Sequence, residues 1–437
     1  MRVQHLSLTD FRNYAEAEVT FPAGATLIVG RNGQGKTNLV EAVGFLSTLG
    51  SHRVSTDHAL IRAGRDAAII RARLEYNGRD ILTEVQINRS GANRAQVNHS
   101  VIKTRELPRY CHSILFAPED LALVRGDPAG RRRFLDQLLV QRAPRIAGVI
   151  ADYERVLKQR NTLLKSARAS GLRESRLTTL DIWDERLVSL GSEIVVARAR
   201  LTAALAEPLR VAYRAVAGGD HHPELVPQLS VLGADPEEGT AAASLEPVGQ
   251  TPPVQHVEIG GGAGSPGEAH ATDPIGDTQP GGSMAEGEGS AGRGQGSHAA
   301  GAASDGIAAS FRSAIAGLRR KELDRGITLV GPHRDDLVFM LNGLPAKGYA
   351  SHGESWSFAL ALKLASAELL RRDSSSGDPV LILDDVFAEL DQTRRRRLAE
   401  AVTGFEQVLI TAAVLEDVPE ALAQNTVQVQ AGVIVDV

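Results

Sequence analysis

The 437-residue chain has a single cysteine, Cys111, so no intramolecular disulfide can form and a reducing compartment suits it. Its twelve histidines are scattered, and no Cys/His cluster has the spacing of a structural zinc site. It lacks any run of about 18 apolar residues, so no membrane-spanning helix is expected. The opening Met1-Arg2-Val3-Gln4-His5-Leu6 has no apolar core of signal-peptide length. These absences leave a cytoplasmic protein with no membrane partner as the expectation. What remains is 43% hydrophobic and 23% charged, ordinary for a globular chain of two domains, or of one large domain with insertions.

The net charge of −5 is unevenly spread. Between Gly233 and Asp305 there are 11 Asp/Glu against one Arg, a local charge of −10, so the rest carries −5 − (−10) = +5. That stretch also holds 17 of the 43 glycines and shows no apolar periodicity. Such a composition buries too little surface to offset chain entropy, so 233–305 is read as a disordered insertion. The mildly basic remainder, with clusters at Arg131-Arg132-Arg133 and Arg394 to Arg397, permits a polyanion partner.

Elsewhere the periods are regular. Leu6–Phe11 with Ala17–Phe21, and Ala68–Tyr76 with Ile81–Asn88 around Asn77-Gly78, read as β-hairpins. Thr26–Val29 is a short buried strand, and a helix runs from about Gly35 to Leu49. From Gly130 the period turns helical: Ile146, Ile150, Tyr153, Leu157 and Leu164 form one series, and Leu180, Trp183, Leu187, Leu190, Ile194, Ala197 and Leu201 another. Two packed helices of a small lobe fit this better than a projecting coiled coil, because about 24 residues reach only about 36 Å. A helix near Phe311–Glu322, strands at Ile327–Val330 and Leu337–Leu341, and a helix over Glu354–Arg371 follow. An apolar strand at Val380–Leu383, a helix at Asp391–Val402 and a buried strand at Gln407–Thr411 close the pattern.

Gly30-Arg31-Asn32-Gly33-Gln34-Gly35-Lys36-Thr37 matches G-x-x-x-x-G-K-[ST], follows an apolar strand and opens an amphipathic helix. Its glycines let backbone N–H groups converge on phosphates, the helix N-terminus adds its dipole, Lys36 suits the β/γ-phosphates and the Thr37 hydroxyl suits Mg²⁺. Val380-Leu381-Ile382-Leu383-Asp384-Asp385 delivers two carboxylates to the end of a buried strand. Asp384 is the expected Mg²⁺ residue, and Asp385 is expected to orient the attacking water as the catalytic carboxylate. Taken alone, an Asp at that place could equally cap a helix. Ser351-His352-Gly353-Glu354-Ser355 resembles the ABC signature S-x-G-[QE], though a simple helix cap looks the same, and Glu389-Leu390-Asp391 matches the D-loop of that class. Lys36 and Asp384 lie 348 residues apart with a helical hairpin between them, unlike transporter ATPases, whose motifs lie far closer. The fold expected is α/β: an ABC/SMC-type P-loop ATPase head with an inserted helical lobe and a disordered insertion. Its parts are an N-terminal head (1–115), the lobe (116–232), the acidic insertion (233–305), a return helix (306–326) and a C-terminal head (327–437).

In its motifs and their order the chain resembles the RecF family. Phe11-Arg12-Asn13-Tyr14, the P-loop, Phe116-Ala117-Pro118-Glu119-Asp120-Leu121 and Gly126-x-Pro-x-Gly-Arg-Arg-Arg-Phe-Leu-Asp136 carry the likeness. So do Tyr153-x-x-Val-Leu-Lys-Gln-Arg-Asn161, Gly331-Pro332-His333-Arg334-Asp335-Asp336 and Leu383 to Asp391. The resemblance implies ATP and Mg²⁺ as cofactors, an ATP-dependent homodimer with Ser351, Gly353 and Glu354 acting on the opposite subunit's nucleotide, and slow ATP hydrolysis. It implies binding to duplex DNA and gap junctions, cooperation with RecO and RecR in loading RecA, and a place at the nucleoid in DNA replication, recombinational repair and the SOS response. Another SMC-like repair ATPase is the alternative, and a transporter ATPase subunit a more distant one. Arg131, Arg132 and Arg133 are the expected contacts to DNA phosphates, against internal ion pairs as the other reading, and Arg12 is a residue that could reach the nucleotide. His333 and Arg334 are read as structural or interfacial. The signature has His352 and Glu354-Ser355-Trp356 where many family members carry a Gln-rich run, and Ala412-Ala413 follow Thr411, which leaves the γ-phosphate sensor unassigned.

Overall fold

The structure, a computed structural model, describes residues 1–76, 78–170, 178–234, 294–374 and 377–435. The first part of the chain forms β1 (Arg2–Phe11), β2 (Tyr14–Thr20), β3 (Gly24–Val29), α1 (Lys36–Thr48), β4 (Ala67–Tyr76), β5 (Arg79–Asn88), β6 (Arg94–Val97), β7 (Ser100–Ile102) and β8 (Ser113–Phe116). Helices α2 (Leu121–Arg125), α3 (Pro128–Arg142), α4 (Ile146–Ala169) and α5 (Thr178–Ala217) follow, then β9 (Glu224–Gln228). The C-terminal part holds α6 (Gly294–Arg325), β10 (Asp336–Leu341), β11 (Leu344–Pro345), α7 (His352–Asp373), β12 (Val380–Asp384), α8 (Gln392–Val402), β13 (Gln407–Ala412), β14 (Asn425–Gln430) and β15 (Val433–Val435). Met1–Pro236 and Ala303–Val437 make one compact unit.

The central sheet has the order β15-β14-β3-β13-β12-β8, parallel except for β15. It is covered on both faces, which is why β12 and β13 are apolar almost throughout rather than alternating. The pleat divides their side chains between two cores. Leu27, Leu381, Leu383, Val408 and Ile410 face the core shared with α3 to α7. Ile28, Val380, Ile382 and Leu409 face α1 and the antiparallel sheet β2-β1-β4-β5-β6-β7. Strands β3 and β8 from the first part of the chain thus meet β12 and β13 from the last in one sheet, and their parallel pairing brings the C-terminal ends of β3, β12 and β13 to a single edge.

Several sequence expectations move. Helix α5 continues far past Leu201, because Leu205, Leu209, Tyr213 and Val216 extend the same fully buried stripe, and Pro208 is carried within it. Residues 235–293, the bulk of the stretch read as disordered, lie outside the described residues. Helix α6 begins at Gly294, ahead of the 306 boundary expected for the return helix. Residues 327–330 are not a strand. Two of their backbone donors go to side chains instead: Thr328 N donates to Asn161 Oδ1 at 2.8 Å and Leu329 N to Glu322 Oε1 at 2.8 Å.

The same spot contains a buried ionic knot. Arg160, 0% exposed, donates from Nε to Asp184 Oδ1 at 2.7 Å, from Nη2 to Glu322 Oε2 at 2.6 Å and from Nη1 to Thr328 Oγ1 at 2.8 Å. Burial opposes its charge, but the bonds and charges of Glu322 and Asp184 outweigh that and raise its pKa. Arg319 joins from α6 through Asp184. One guanidinium therefore ties α4, α5, α6 and the 327–330 segment together.

Candidate functional site: a phosphate loop facing paired carboxylates

The P-loop runs from the end of β3 to the start of α1, and its glycines answer to their neighbours. A Cβ on Gly30 would fall 2.3 Å from Val429 O, and Gly35, at φ 118°, lies under Asn13 and Tyr14. The turn between β1 and β2 roofs the loop: Asn13 Nδ2 donates to Gln34 O at 3.1 Å and Tyr14 OH to Gly35 O at 3.1 Å. This gives the Phe11-Arg12-Asn13-Tyr14 motif a structural task. Gly35 caps α1 without a side-chain bond and the first turn has no acid, so the helix-terminal N–H groups and dipole are left for an anion.

Lys36 is 3% exposed, and among the described residues its Nζ has one hydrogen bond, to Asn32 Oδ1 at 3.4 Å. Thr37 Oγ1 donates to Asp384 Oδ1 at 3.0 Å. Strand register then supplies a residue the motifs missed: Thr411 lies opposite Asp384 on β13, and its hydroxyl donates to the same Oδ1 at 2.6 Å. Thr411 Oγ1 also accepts from Asp385 N at 2.9 Å. Asp385 sits at φ 52°, a left-handed conformation rare outside glycine, at the C-terminal end of β12. Burial raises its pKa, Lys36 pulls it down and Asp384 pushes it up again, with the net direction upward. A carboxylate made more basic in this way, beside a cation and a second carboxylate, is suited to accepting a proton. His52, just beyond the end of α1, places Nε2 3.6 Å from Asp384 Oδ2.

The signature-like and D-loop residues form a second cluster at the start of α7. Ser351 Oγ accepts from Glu354 N at 3.2 Å and Glu354 Oε2 accepts from Ser351 N at 2.8 Å, a reciprocal capping box. These bonds with Ser351 lower the Glu354 pKa, and His221 and Arg394 add to the effect. Asp391 caps α8 by accepting from Arg394 N at 2.9 Å and pairs with the Arg394 guanidinium, which donates from Nε to Ser357 Oγ at 3.1 Å. That guanidinium lies against Gly353, where a Cβ would fall 2.6 Å from Nη2. The Asp391 segment and the start of α7 are thus joined through Arg394, and Glu389 is exposed.

The arginine triplet divides along α3. Arg131 is buried and donates to Asp336 through Nε at 2.7 Å and Nη2 at 2.9 Å, and through Nη1 to the carbonyls of Leu123 and Gly126. The expectation of a phosphate contact fails for Arg131, because its donors are spent inside the fold. Arg132 is half-buried and donates to Asp335 O at 2.8 Å, while Arg133 is exposed. Burial and the neighbouring Arg198 lower the Arg132 pKa. Arg12 likewise turns away from the nucleotide side: it holds Glu41 with two bonds, at 2.8 and 2.7 Å, and Ala59 O at 3.0 Å. His333 is structural, bonded to Tyr153 OH at 2.7 Å, and burial lowers its pKa to about 4.

A mostly parallel sheet that gathers a P-loop and a strand-end carboxylate pair, with the Ser351–Glu354 sequence at a capped helix start, defines the class: an ABC/SMC-type ATPase head. The family model described as the RecF/RecN/SMC N terminal domain matches residues 2–434. A protein of Leifsonia xyli subsp. xyli called DNA replication and repair protein RecF is 61% identical over 439 residues, covering 100% of both chains. Another of that description, from Clavibacter michiganensis subsp. michiganensis, is 62% identical over 436 residues, covering 100% of this chain and 96% of its own. The chain belongs to the RecF family of the RecF/RecN/SMC group. A solved structure of the recombination mediator protein RecF-ATP in the RecFOR pathway shares the fold, with a TM-score of 0.76 at 23% identity over 100% of this chain and 97% of that one.

Proposed function

We propose that the chain binds ATP with Mg²⁺ between Gly30 and Thr37, dimerises on it through the Ser351–Glu354 face, and in that state binds duplex DNA and gap junctions. In recombinational repair it then promotes RecA loading together with RecO and RecR. The observation that carries this reading is the convergence of Lys36, Thr37, Asp384 and Asp385 on one sheet edge. Support for the pathway comes from relatives called DNA replication and repair proteins and from a neighbour placed in the RecFOR pathway.

The donor set fits Mg²⁺. Among the described residues no group of three His, Cys, Asp or Glu could hold a metal alone. A hydroxyl and a carboxylate, Thr37 and Asp384, match a cation that keeps its waters and takes phosphate oxygens. When bound, it offsets the charge of the β- and γ-phosphates. Lys36 and the α1 N-terminus bind and orient those phosphates. Asp385 accepts the proton of the attacking water as the bond to the γ-phosphorus forms and the ADP oxygen leaves. With one methylene fewer than a glutamate, its carboxylate reaches that water less well, so turnover is slow. Asp385→Asn should lower turnover by about 10²-fold or more while leaving the ATP-bound dimer intact, as read by phosphate release and sedimentation. Undiminished hydrolysis would move the base elsewhere.

For DNA, Arg132 and Arg133 line a cavity of about 830 Å³ together with Arg105. The expected result is a Kd that weakens steeply with salt. Arg132→Ala/Arg133→Ala should reduce the slope of log K by about 0.9 for each phosphate left without its cation, equally on unrelated sequences. Arg131→Ala should instead lower thermal stability. Anisotropy titrations across salt decide this, and an unchanged slope in the double variant would exclude both arginines.

A further inference from the structure

We propose that His52 is a positioning residue for nucleotide hydrolysis, holding Asp384 Oδ2 from the side opposite its two threonines. The inference rests on the ATP reading above and concerns a residue that no motif includes. Asp384 Oδ1 already accepts two hydroxyls, from Thr37 at 3.0 Å and Thr411 at 2.6 Å. Oδ2 faces the His52 ring, with Nε2 3.6 Å away. That nitrogen is buried and has no hydrogen-bond partner among the described residues. A buried polar nitrogen without a partner costs about 1–3 kcal/mol, and in the tautomer with the proton on Nε2 the nearby acceptor is Oδ2. The separation is a few tenths of an ångström beyond a hydrogen bond, and the proposal requires it to shorten when the site is occupied.

The turn that carries His52 is built to hold it there. Helix α1 stops at Leu49, whose φ of 53° reverses the chain. Ser51 is buried: its hydroxyl donates to Glu41 Oε1 and accepts from Arg53 N at 2.9 Å and Val54 N at 3.1 Å. Glu41 in turn is gripped by Arg12 through two bonds. None of Arg12, Glu41 and Ser51 has a bond to the P-loop. Their joint effect is to fix the backbone on either side of residue 52 against α1, the helix that also presents Lys36 and Thr37. With Oδ1 tied on one side and Oδ2 on the other, the Asp384 carboxylate keeps one orientation toward the cation.

Groups that orient a metal-binding carboxylate typically matter by about 10–100-fold in metal affinity or activity. The test uses the full chain and the variants His52→Leu, which removes the donor, and His52→Gln, whose Nε2 restores it. Equilibrium binding of a fluorescent ATP analogue is titrated with Mg²⁺ and repeated in EDTA, beside kcat and KM for ATP. For His52→Leu, half-maximal Mg²⁺-dependent binding should need about 10-fold more Mg²⁺ and kcat should fall about 10–100-fold. Binding in EDTA, KM and Tm should stay near wild type, and His52→Gln should recover most of the loss. Arg12→Ala should reproduce part of the kcat defect without touching the P-loop. A His52→Leu protein with wild-type Mg²⁺ dependence and kcat would overturn the proposal, as would equal defects in the Leu and Gln variants accompanied by a fall in Tm. Absence of Mg²⁺-dependent binding in the wild-type protein would instead sink the ATP reading on which it stands.

Discussion

Lys36→Ala should bind ATP about 10–100-fold more weakly and sediment as a monomer at ATP concentrations that dimerise the wild-type chain. Lys36 is buried, its one hydrogen bond among the described residues is a long contact to Asn32, and its charge acts on Asp385 without forming a salt bridge with it. Its charge is therefore directed at whatever anion the loop holds. Charge-assisted bonds contribute about 1.5–3 kcal/mol, and their loss sets the expected drop in affinity. Removing a buried cation that holds no salt bridge should not harm the fold, so Tm should hold or rise slightly. Dimerisation of Lys36→Ala at wild-type ATP concentrations would show that the P-loop does not drive association.

Arg160→Ala should be the most destabilising single change outside the apolar core, at about 3–5 kcal/mol. The cost comes from the carboxylates left behind: Glu322 is fully buried beside it, and among the described residues Asp184 would keep only its pairing with Arg319. The knot also satisfies Thr328 and, through Glu322, the Leu329 amide, so its loss loosens the 327–330 segment. Calorimetry should show Tm falling by roughly 10 °C. Replacing Arg160, Asp184 and Glu322 together by apolar residues of similar volume should recover much of that loss, because the isolated charge, not the missing pair, carries the penalty. A cost under about 1 kcal/mol for Arg160→Ala would show that the buried pair contributes little.

Much of this site is legible in the sequence because its parts are local. Gly30 to Thr37 and Val380 to Asp385 each combine a strand end with its chemistry in one short run, and the Asn77-Gly78 hairpin announces its own turn. Thr411 is invisible there as a site residue because its role comes from lying opposite Asp384 in a parallel pair, and register between strands far apart in sequence leaves no local pattern. His52 is invisible for the same reason, since it has no motif and acts across to β12. Residues 327–330 read as a strand from their apolar character, but a strand needs a partner edge, and there the amides are taken by Asn161 and Glu322. The Arg131–Arg133 triplet shows the converse. Three adjacent arginines on a helix point in different directions, about 100° apart, so one is buried on Asp336 while another is exposed. Ser351 and Glu354 are ambiguous in sequence between a cap and a signature, and they do form a cap. A role in dimerisation is compatible with that, because a rigid helix start is what a trans-acting surface needs.

ATP-driven dimerisation coupled to DNA binding is tested most directly on one preparation of the full chain, followed by analytical ultracentrifugation with a labelled gapped duplex, with and without Mg·ATP. Without nucleotide, monomers and weak, salt-sensitive DNA association are expected; with Mg·ATP, a dimer that co-sediments with the duplex. Equal mass and equal DNA affinity in the two conditions would contradict it.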